Sequence, residues 1–502
     1  MKIKTKLLSC IKSMLLLLAI TCLPAKALAY YFEVDGICYS VWSDATVVVY
    51  DCTKGGDVII PSTITYEDKT YTVTRIHSFN NNSITSIWIP STVDYIDDGI
   101  FSSFGSLERI NVASENPIYD SRNNCNAVIK TASNTLISGC KSTIIPNTVT
   151  TIGSGAFSDC SGLENINIPN SVTTIGWGAF SGCSGLENIN IPNSVTTIDF
   201  EAFYQCNILR NVDLGNAVTT IGTRAFADCS ELASVNIPNS VTEIGFDAFR
   251  NTKILENEHG IVYLGNWAVQ YNYSEELPAD TIIKEGTIGI ANGTFGSPDY
   301  IQPFTYNVII PNSVLYIGSD AFSRQIFGGV SPVKHITIGK NVKLIGGGAF
   351  YTGSYCWYSG NLAGEVELQS ITCLAKVPPT TTGGAFAGMN EFADRHGGWT
   401  EIYEDMDYAI YDKVTLYVPS GSVQAYKEAD DWCRFKTIIG ISVSDIYDVN
   451  GDNEITISDI NSVIEVIILG SNHPNYNNCD VDGDGEVTIA DINAIINAMM
   501  GN

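Results

Sequence analysis

The sequence predicts an α+β protein, in which a solenoid of 23-residue repeats is followed by a small all-α module. Cysteine, phenylalanine and isoleucine each recur every 23 residues in the middle of the chain. A fixed period of this length is typical of stacked repeats, because each repeat buries its apolar side only against its neighbours. Beyond Ile441 the chain contains no Lys or Arg, and two loop-then-helix patterns replace the repeat. We therefore expect any binding function on an extended surface, and not in a deep pocket.

Residues 1–29 are predicted to form a secretory signal peptide. Lysines precede the apolar run 14–20, and an A-x-A cleavage motif ends at Ala29. The apolar run is too short to cross about 30 Å of hydrocarbon, which disfavours a transmembrane anchor. A lipoprotein anchor at Cys22 is an alternative, although the residue before it is unfavourable. Cleavage after Ala29 predicts a protein that is secreted or held at the cell surface.

The chain is strongly acidic, with 54 Asp and Glu against 27 Lys and Arg and a net charge of −27. Loss of residues 1–29, which hold five lysines and no acid, leaves 22 basic residues and a net charge of −32. Such a surface repels nucleic acid and anionic lipid, and it suits divalent cations or basic partners. We therefore expect a monomer that neither binds nucleic acid nor inserts into a membrane.

Residues 30–57 are predicted to form an N-terminal cap. Two strand-like runs, 31–39 and 46–50, flank a turn in this segment. A solenoid needs such a cap, because its first repeat would otherwise expose an apolar face to water.

The regular repeats run from Thr143 to Arg250, and the stretch 168–198 shows how they are built. A short strand places Ile189 and Ile191 inward and the alternate residues outward, because side chains alternate along a strand. The Ala-Phe-x-x-Cys segment before it is predicted to form a helical turn with Phe and Cys on one face. A second short strand is predicted at 194–198.

The outward strand positions of four successive repeats are polar. They are Asn165, Asn167, Asn188, Asn190, Asn211, Asp213, Ser234 and Asn236. This polar ladder is a candidate partner-binding surface. The alternative is that it only solvates the sheet, since outward strand positions are polar by default.

The cysteines of the repeats form a second ladder, composed of Cys160, Cys183, Cys206 and Cys229. Stacked equivalent positions lie about 4.8 Å apart with parallel side chains, whereas a disulfide needs converging Cβ atoms about 3.8 Å apart. We therefore interpret the cysteines as small buried hydrophobes. A metal-thiolate chain is the alternative, although zinc ligands must converge on one point.

The repeats resemble bacterial leucine-rich repeats of the BspA-like surface-protein type. The motif I-P-x-S-V-T-x-I-G-x-x-A-F-x-x-C-x-x-L is almost unbroken three times between Ile145 and Leu209, and 416–427 resembles the C-terminal cap of that family. The resemblance implies a right-handed leucine-rich-repeat solenoid over 58–440, on a secreted or surface protein that binds other proteins or host surfaces. It implies no enzyme and no particular binding residues.

Three inserts interrupt the period, at 113–142, 251–282 and 351–384. Inserts in solenoids tend to lie on one face, often the binding face. The aromatic stretch 351–358 is either a hairpin that covers core or a platform that contacts a ligand.

Two twelve-residue loops, 448–459 and 480–491, predict a pair of calcium sites. Ca²⁺ takes six to eight oxygen ligands, and this spacing wraps acidic and amide side chains round one ion per loop. The candidate ligands are Asp448, Asn450, Asp452, Glu454 and Asp459 in the first loop and Asp480, Asp482, Asp484, Glu486 and Asp491 in the second. Amphipathic helices are predicted after the loops, at Ile457–Leu469 and Ile489–Met500.

Position 12 of each loop is Asp and not the Glu of an ordinary EF-hand, and position 6 of the first loop is Asn453 and not Gly. With the loop-then-helix layout and the duplication, this Asp makes residues 448–502 resemble a type I dockerin, with 441–447 as a linker. The resemblance implies a Ca²⁺-dependent fold that docks onto a cohesin-like module. The partner contacts that it implies, at loop positions 10 and 11, are Ile457, Ser458, Ile489 and Ala490. Many cellulosomal dockerins carry a hydroxyl pair there, and this chain departs from that pattern, so the resemblance does not imply a particular partner specificity.

No catalytic motif is recognisable, and the acidic pairs Glu404-Asp405 and Asp430-Asp431 are interpreted as solvated surface. The predicted function is non-enzymatic binding, in which the repeats recognise a protein or host surface and the dockerin-like module provides Ca²⁺-dependent docking. One alternative is a structural subunit of a cohesin-dockerin complex, for example a polysaccharide-degrading one, in which the repeats are mainly a spacer. Another is an enzyme with an unrecognised site.

Overall fold

The computed structural model describes fifteen stretches of the chain. They are residues 31–77, 79, 81–256, 260–272, 280–295, 307–322, 334–350, 368–382, 384–386, 409–442, 449, 455–469, 479, 481 and 487–499. The predicted signal peptide and the aromatic stretch 351–358 lie outside these residues. The chain divides into two compact units: the N-terminal unit ends at Glu187, and the C-terminal unit begins at Asn188.

The N-terminal unit is built of short strands. They are β1 (Tyr31–Val34), β2 (Ile37–Val41), β3 (Thr46–Cys52), β4 (Gly56–Ile59), β5 (Thr63–Tyr66), β6 (Lys69–Ile76), β7 (Ile84–Ile89), β8 (Tyr95–Ile96), β9 (Arg109–Val112), β10 (Tyr119–Asp120), β11 (Val128–Lys130), β12 (Thr135–Ser138), β13 (Thr151–Ile152) and β14 (Thr174–Ile175). The first sheet has the order β1-β2-β3-β6-β5, with β8 beside β6, and the second has the order β4-β7-β9. From β12 through β14 the strands pair in parallel.

The N-terminal segment differs in one respect from the sequence-based prediction. The run 31–39 is not one strand but the antiparallel hairpin β1-β2, because Asp35 and Gly36 both have positive φ angles and reverse the chain. Phe32 and Tyr39 of this hairpin lie in the same hydrophobic core as the first repeats. Burial of aromatic rings against that core is what a cap has to supply.

The described residues of the C-terminal unit form further short strands and four α-helices. Its strands are β15 (Asn188–Asn190), β16 (Thr197–Ile198), β17 (Asn211–Asp213), β18 (Thr220–Ile221), β19 (Ser234–Val235), β20 (Glu243–Ile244), β21 (Gly260–Leu264), β22 (Trp267–Asn272), β23 (Asp280–Ile282), β24 (Gly289–Ile290), β25 (Asn307–Ile310), β26 (Tyr316–Ile317), β27 (His335–Ile338), β28 (Leu344–Ile345), β29 (Ser370–Cys373), β30 (Thr380–Thr381), β31 (Thr415–Pro419) and β32 (Thr437–Ile441). Its helices are α1 (Ala409–Lys413), α2 (Val423–Glu428), α3 (Ile457–Leu469) and α4 (Ile489–Met499).

The strands of successive repeats pair in parallel at the 23-residue spacing of the sequence. Asn188 of β15 lies beside Asn211 of β17, which lies beside Ser234 of β19. A second ladder joins β16, β18 and β20. Ile189 and Ile191 are buried and Asn188 and Asn190 are exposed, which confirms the predicted alternation. The right-handed winding stays a prediction.

The Ala-Phe-x-x-Cys segments form hydrogen-bonded turns and not helical turns, because left-handed residues interrupt them. Two positions per repeat have positive φ angles. The first is occupied by Gly155, Gly178, Glu201, Arg224 and Asp247, and the second by Asp159, Gly182, Gln205, Asp228 and Asn251. A non-glycine residue in this conformation costs about 1 kcal/mol or more. The turns bond within themselves and also from repeat to repeat, as when the Phe203 N–H donates to the Ala225 carbonyl at 2.8 Å.

The cysteine ladder is a core layer, as predicted. All four ladder cysteines are buried thiols that form no disulfide with the other described cysteines. The Cys183 thiol donates to the Phe157 carbonyl, and the Cys229 thiol donates to the Phe203 carbonyl, each at 3.1 Å. Burial raises the pKa of Cys160 to about 12, so the thiol form is retained at neutral pH. Among the described residues, no group of three or more His, Cys, Asp or Glu side chains is arranged to hold a metal ion.

Each of the first two inserts supplies an antiparallel hairpin to a sheet. In the first insert β11 pairs with β12, and β12 then pairs in parallel with β13. In the second insert β21 pairs with β22, and β22 then pairs in parallel with β24. Both hairpins therefore extend the ladder of the repeats instead of lying outside it.

An aromatic cluster covers the described C-terminal end of the repeats. Phe386 contacts the buried rings of Tyr411, Trp432 and Phe435. Asp431 differs from its predicted role as solvated surface, because it is buried and accepts the Ala385 N–H at 2.8 Å. This carboxylate fixes the cap to the last turn of the array. Glu404 and Asp405 lie outside the described residues.

Replacing Gly222 by alanine is expected to destabilise the C-terminal unit by about 2 to 3 kcal/mol. A Cβ atom on Gly222 would lie 2.5 Å from the carbonyl carbon of Asp199, which is backbone of the preceding repeat and cannot rotate away. Urea unfolding followed by circular dichroism measures the loss. Gly421→Ala is the matched control, since nothing lies within 4 Å of its added Cβ. Equal stabilities of the two variants would contradict this close approach.

Candidate functional site

The described residues of the C-terminal module include two helices, α3 and α4, that pack on a small core of their own. Helix α3 has the bounds that the sequence predicts, and α4 matches the predicted helix from Ile489 to Met499, the last described residue. The buried core residues are Val449, Val463, Val466, Cys479, Val481, Val487 and Ile495. They come from both loop segments and both helices, so the two halves form one folded unit. A core this small needs further stabilisation.

Asp459 and Asp491, the last residues of the two predicted calcium loops, are fully buried in the first turns of α3 and α4. The Asp459 carboxylate accepts the Thr456 N–H at 2.7 Å, and the Asp491 carboxylate accepts the Thr488 N–H at 2.7 Å. A carboxylate that reaches back to the residue before the helix satisfies an N–H group that has no partner within the helix. The last residues of the two predicted calcium loops therefore have the same local geometry.

The Asp491 carboxylate also joins the two ends of its loop. Its second oxygen accepts the N–H of Val481, the second residue of that loop, at 2.8 Å. A buried carboxylate is costly unless it is paired or bound to a metal. Ca²⁺ prefers oxygen ligands, and a carboxylate at the end of each loop supplies them. Asp459 and Asp491, the described candidate ligands of the two loops, therefore fit the ion. The remaining candidate ligands lie outside the described residues. They are Asp448, Asn450, Asp452, Glu454, Asp480, Asp482, Asp484 and Glu486.

The candidate docking positions are exposed apolar residues at the start of each helix. Ile457 is 66% exposed and Ile489 is 70% exposed, although isoleucine is usually buried. Ser458 is exposed as well, and the side chain of Ala490 lies outside the description. The apolar strip on α3 continues through Ile464, Ile467 and Ile468, which are also exposed. Sequence reasoning missed these three, although Ile467 and Ile468 follow Ile464 by three and four residues, which was a usable signal.

The polar ladder lies on the outer face of the repeat strands. All eight of its residues are exposed: Asn165, Asn167, Asn188, Asn190, Asn211, Asp213, Ser234 and Asn236. The Asn211 side-chain amide donates to the side-chain oxygen of Asn188 at 2.5 Å, so neighbouring members satisfy each other. In the N-terminal unit, exposed Ile59 and Trp88 occupy the corresponding outward positions and pair across β4 and β7. Sequence reasoning missed this apolar pair.

A cavity of about 140 Å³ lies in the C-terminal unit, beside the second insert. Glu243 supplies the one carboxylate of its lining, and Trp267 and Tyr316 supply stacked aromatic rings. The lining residues, all within the described part of the chain, include no His, Cys or Lys and no second acid. They therefore offer no acid and base pair for hydrolysis.

The comparisons with known proteins identify both modules. The family model described as BspA type leucine rich repeat region matches six copies over residues 50–132, 133–256 and 290–356, more than half of the chain. The model described as dockerin type I domain matches residues 446–500. No curated protein matches the chain.

Three solved bacterial structures are similar to this chain. A leucine rich cell surface protein from Faecalibacterium prausnitzii A2-165 is 22% identical, covering 69% of this chain and 89% of that one, with a TM-score of 0.29. A leucine-rich repeat protein from Bacteroides ovatus ATCC 8483 is 22% identical, covering 82% and 100%, with a TM-score of 0.32. One from Eubacterium ventriosum ATCC 27560 is 21% identical, covering 45% and 96%, with a TM-score of 0.26. The assignment rests on the family models and not on these similarities.

Both matched families are non-catalytic binding modules, and proteins built from them are typically extracellular or surface-associated. Dockerin type I domains bind calcium and dock onto cohesin modules. Among the described residues, no helix is both long enough and apolar enough to cross a membrane. The chain therefore belongs to the BspA-type leucine-rich repeat family and carries a C-terminal type I dockerin domain.

Proposed function

We propose that this protein is an exported, non-enzymatic binding protein. Its repeats recognise a protein or a host surface, and its dockerin module holds two Ca²⁺ ions and docks onto a cohesin-like partner. The observation that carries the docking role is the exposure of Ile457 and Ile489 at equivalent positions of two helices that share one cap geometry. Two exposed isoleucines at matched sites are costly in water unless a partner covers them.

Calcium has a specific part in this proposal. Asp459 and Asp491 would each supply a carboxylate oxygen to one ion, alongside the eight other candidate ligands of the two loops. The ion would neutralise a carboxylate that folding has buried, and it would hold each loop against its helix. The N–H groups of Thr456 and Thr488 would keep each carboxylate oriented toward its loop. The second oxygen of Asp491, which accepts the Val481 N–H, would contact the ion through its other lone pair.

The second candidate function is a structural subunit of a cohesin-dockerin complex, in which the repeats act mainly as a spacer. Its supporting observation is the mutual hydrogen bonding of Asn188 and Asn211 on the polar ladder. Amides that satisfy one another have less to gain from a partner. Retention of a surface protein by the repeats would favour recognition, and retention of cohesin alone would favour the spacer.

The repeated Thr-Ile-x-Asp-Ile-Asn sequence predicts that either half of the module can dock. We expect Ile457→Asp or Ile489→Asp alone to reduce cohesin affinity by less than about threefold, since the other half remains intact. The double variant is expected to lose at least about tenfold, because truncation or charging of a central apolar contact costs more than 1 kcal/mol. Binding to a panel of cohesin modules, measured by calorimetry with Ca²⁺ present, tests this.

Val377→Asp is the control, because Val377 is an equally exposed apolar residue of the repeats. It adds the same charge and should leave cohesin binding unchanged. Full binding by a double variant that keeps its helices would refute the proposed docking face.

A further inference from the structure

Arg75 differs from the other described arginines in its partners. Six described arginines, namely Arg109, Arg122, Arg210, Arg224, Arg250 and Arg434, each lie within ion-pair distance of a carboxylate. Arg75, within the described part of the chain, contacts aromatic rings instead. The protein has twice as many acidic as basic residues, so a surface arginine is expected to have an acidic neighbour.

The aromatic contacts come from both sides of the strand that carries Arg75. Its guanidinium carbon lies 4.4 Å from the ring centroid of Trp42, which follows β2, and 5.0 Å from that of Tyr95 in β8. Tyr95 is the direct cross-strand neighbour of Arg75. Ring faces attract the cation without using its N–H donors. The two rings therefore hold the guanidinium of half-buried Arg75 in place, and these contacts do not consume its N–H donors.

The acids that follow Tyr95 are committed to other groups. One carboxylate oxygen of Asp97 lies 3.5 Å from the Nδ1 atom of His77. Asp98 lies 3.2 Å from the ammonium of Lys130. Neither supplies the planar pair of oxygens that a guanidinium binds best. Two rings therefore position Arg75, and no carboxylate of the described residues lies within ion-pair distance of it.

We propose that Trp42, Arg75 and Tyr95, which we call the arginine clamp, bind an Asp or Glu side chain of a protein partner. Trp, Tyr and Arg are the residue types that dominate the energetics of protein interfaces. Trp42 is 58% exposed and Tyr95 is 41% exposed, so both rings can cover an apolar neighbour of the bound carboxylate. Against a net charge of −27, the Arg75 cation provides a local attraction that sets the register of the partner.

This inference rests on the proposed recognition role of the repeats and is independent of the dockerin module. A random dodecapeptide display library, selected on the full chain with Ca²⁺ and depleted on the Arg75→Met variant, tests it. We expect the enriched peptides to share an Asp or Glu beside an apolar residue. Each should bind Arg75→Met and Trp42→Ala at least tenfold more weakly than the wild type, and its Asp→Asn or Glu→Gln version should lose binding equally.

Arg109→Met is the matched control, because Arg109 is exposed but already paired with Asp57; it should bind the peptides as the wild type does. Failure to enrich any acidic peptide would overturn the proposal. The proposal would also be overturned if glucuronate, but not acidic peptides, enhanced or quenched the fluorescence of Trp42. That result would show that the clamp binds sugar acids. Cohesin binding by Arg75→Met should be unchanged, so failure of the clamp and failure of the docking proposal give different results.

Discussion

Replacing Asp459 and Asp491 together by alanine is expected to abolish calcium-dependent protection of the two dockerin helices. Each carboxylate is fully buried and accepts at least one backbone N–H. Loss of a helix cap costs about 1 kcal/mol, and each buried N–H left without a partner costs about 1 to 3 kcal/mol. The proposed loss of a calcium ligand from each loop adds to this, because ion binding and folding are linked.

Hydrogen exchange of the full chain measures the effect on α3 and α4. In the wild type, calcium should slow exchange in both helices, and chelation by EDTA should reverse this. In the double alanine variant, exchange should be fast with or without calcium, while the repeats keep their protection. Wild-type protection of the helices in this variant with calcium would contradict the prediction.

The double Asp→Asn variant separates the two roles of these carboxylates. Asparagine keeps an oxygen that can accept the N–H groups of Thr456 and Thr488, but it carries no charge. We therefore expect the helix caps to survive and the calcium affinity to fall by at least about tenfold, since ligand charge sets the affinity of such loops. An unchanged calcium affinity would mean that neither carboxylate serves as a ligand.

Phe226→Ala is expected to give the largest loss of stability among single substitutions in the repeats. Phe226 is fully buried and stacks between Phe203 and Phe249, with ring centroids 5.2 and 5.6 Å away and nearly parallel planes. Truncation of a buried phenylalanine costs about 3 to 5 kcal/mol. The cavity cannot collapse easily, because the flanking rings are held by the ladders of their own repeats.

Amide exchange across 188–250 should accelerate by about 10² to 10³-fold in this variant, from about 1.4 kcal/mol per factor of ten. Asn190→Ala is the control, because Asn190 lies in the same array but is exposed, and it should change stability by less than about 0.5 kcal/mol. Similar exchange rates in the two variants would show that the phenylalanine column contributes little to the array.

Local pattern accounts for the features that sequence reasoning predicted correctly. The inward Ile189 and Ile191 follow from the alternation of a strand, and the bounds of α3 follow from apolar spacing and a capping residue. The ladder cysteines are buried and free because stacked repeats keep equivalent side chains parallel. Each of these inferences needs only neighbouring residues and the periodicity of one element or repeat. A single sequence contains both.

Features that depend on distant residues were not predictable in this way. Asp431 is buried because the Ala385 N–H, 46 residues away in the chain, needs an acceptor. The exposure of Ile464 and Ile468 depends on which face of α3 meets the module core. Arg75 differs from the other described arginines because the rings of Trp42 and Tyr95 contact it. The nearby acids Asp97 and Asp98 pair with His77 and Lys130.

The sequence by itself determined the repeat length, the inward residues of the strands, the free cysteine layer and the two loop-helix halves of the C-terminal module. The tertiary structure alone decided that Glu201 and Arg224 adopt left-handed backbone, that the inserts join the ladder as hairpins, and that Trp42 and Tyr95 enclose Arg75. The physical reason is the distance along the chain over which each effect acts. Periodicity and helix capping act within a few residues, whereas backbone strain and cation pairing are set by neighbours that only the stacking of repeats and strands brings together.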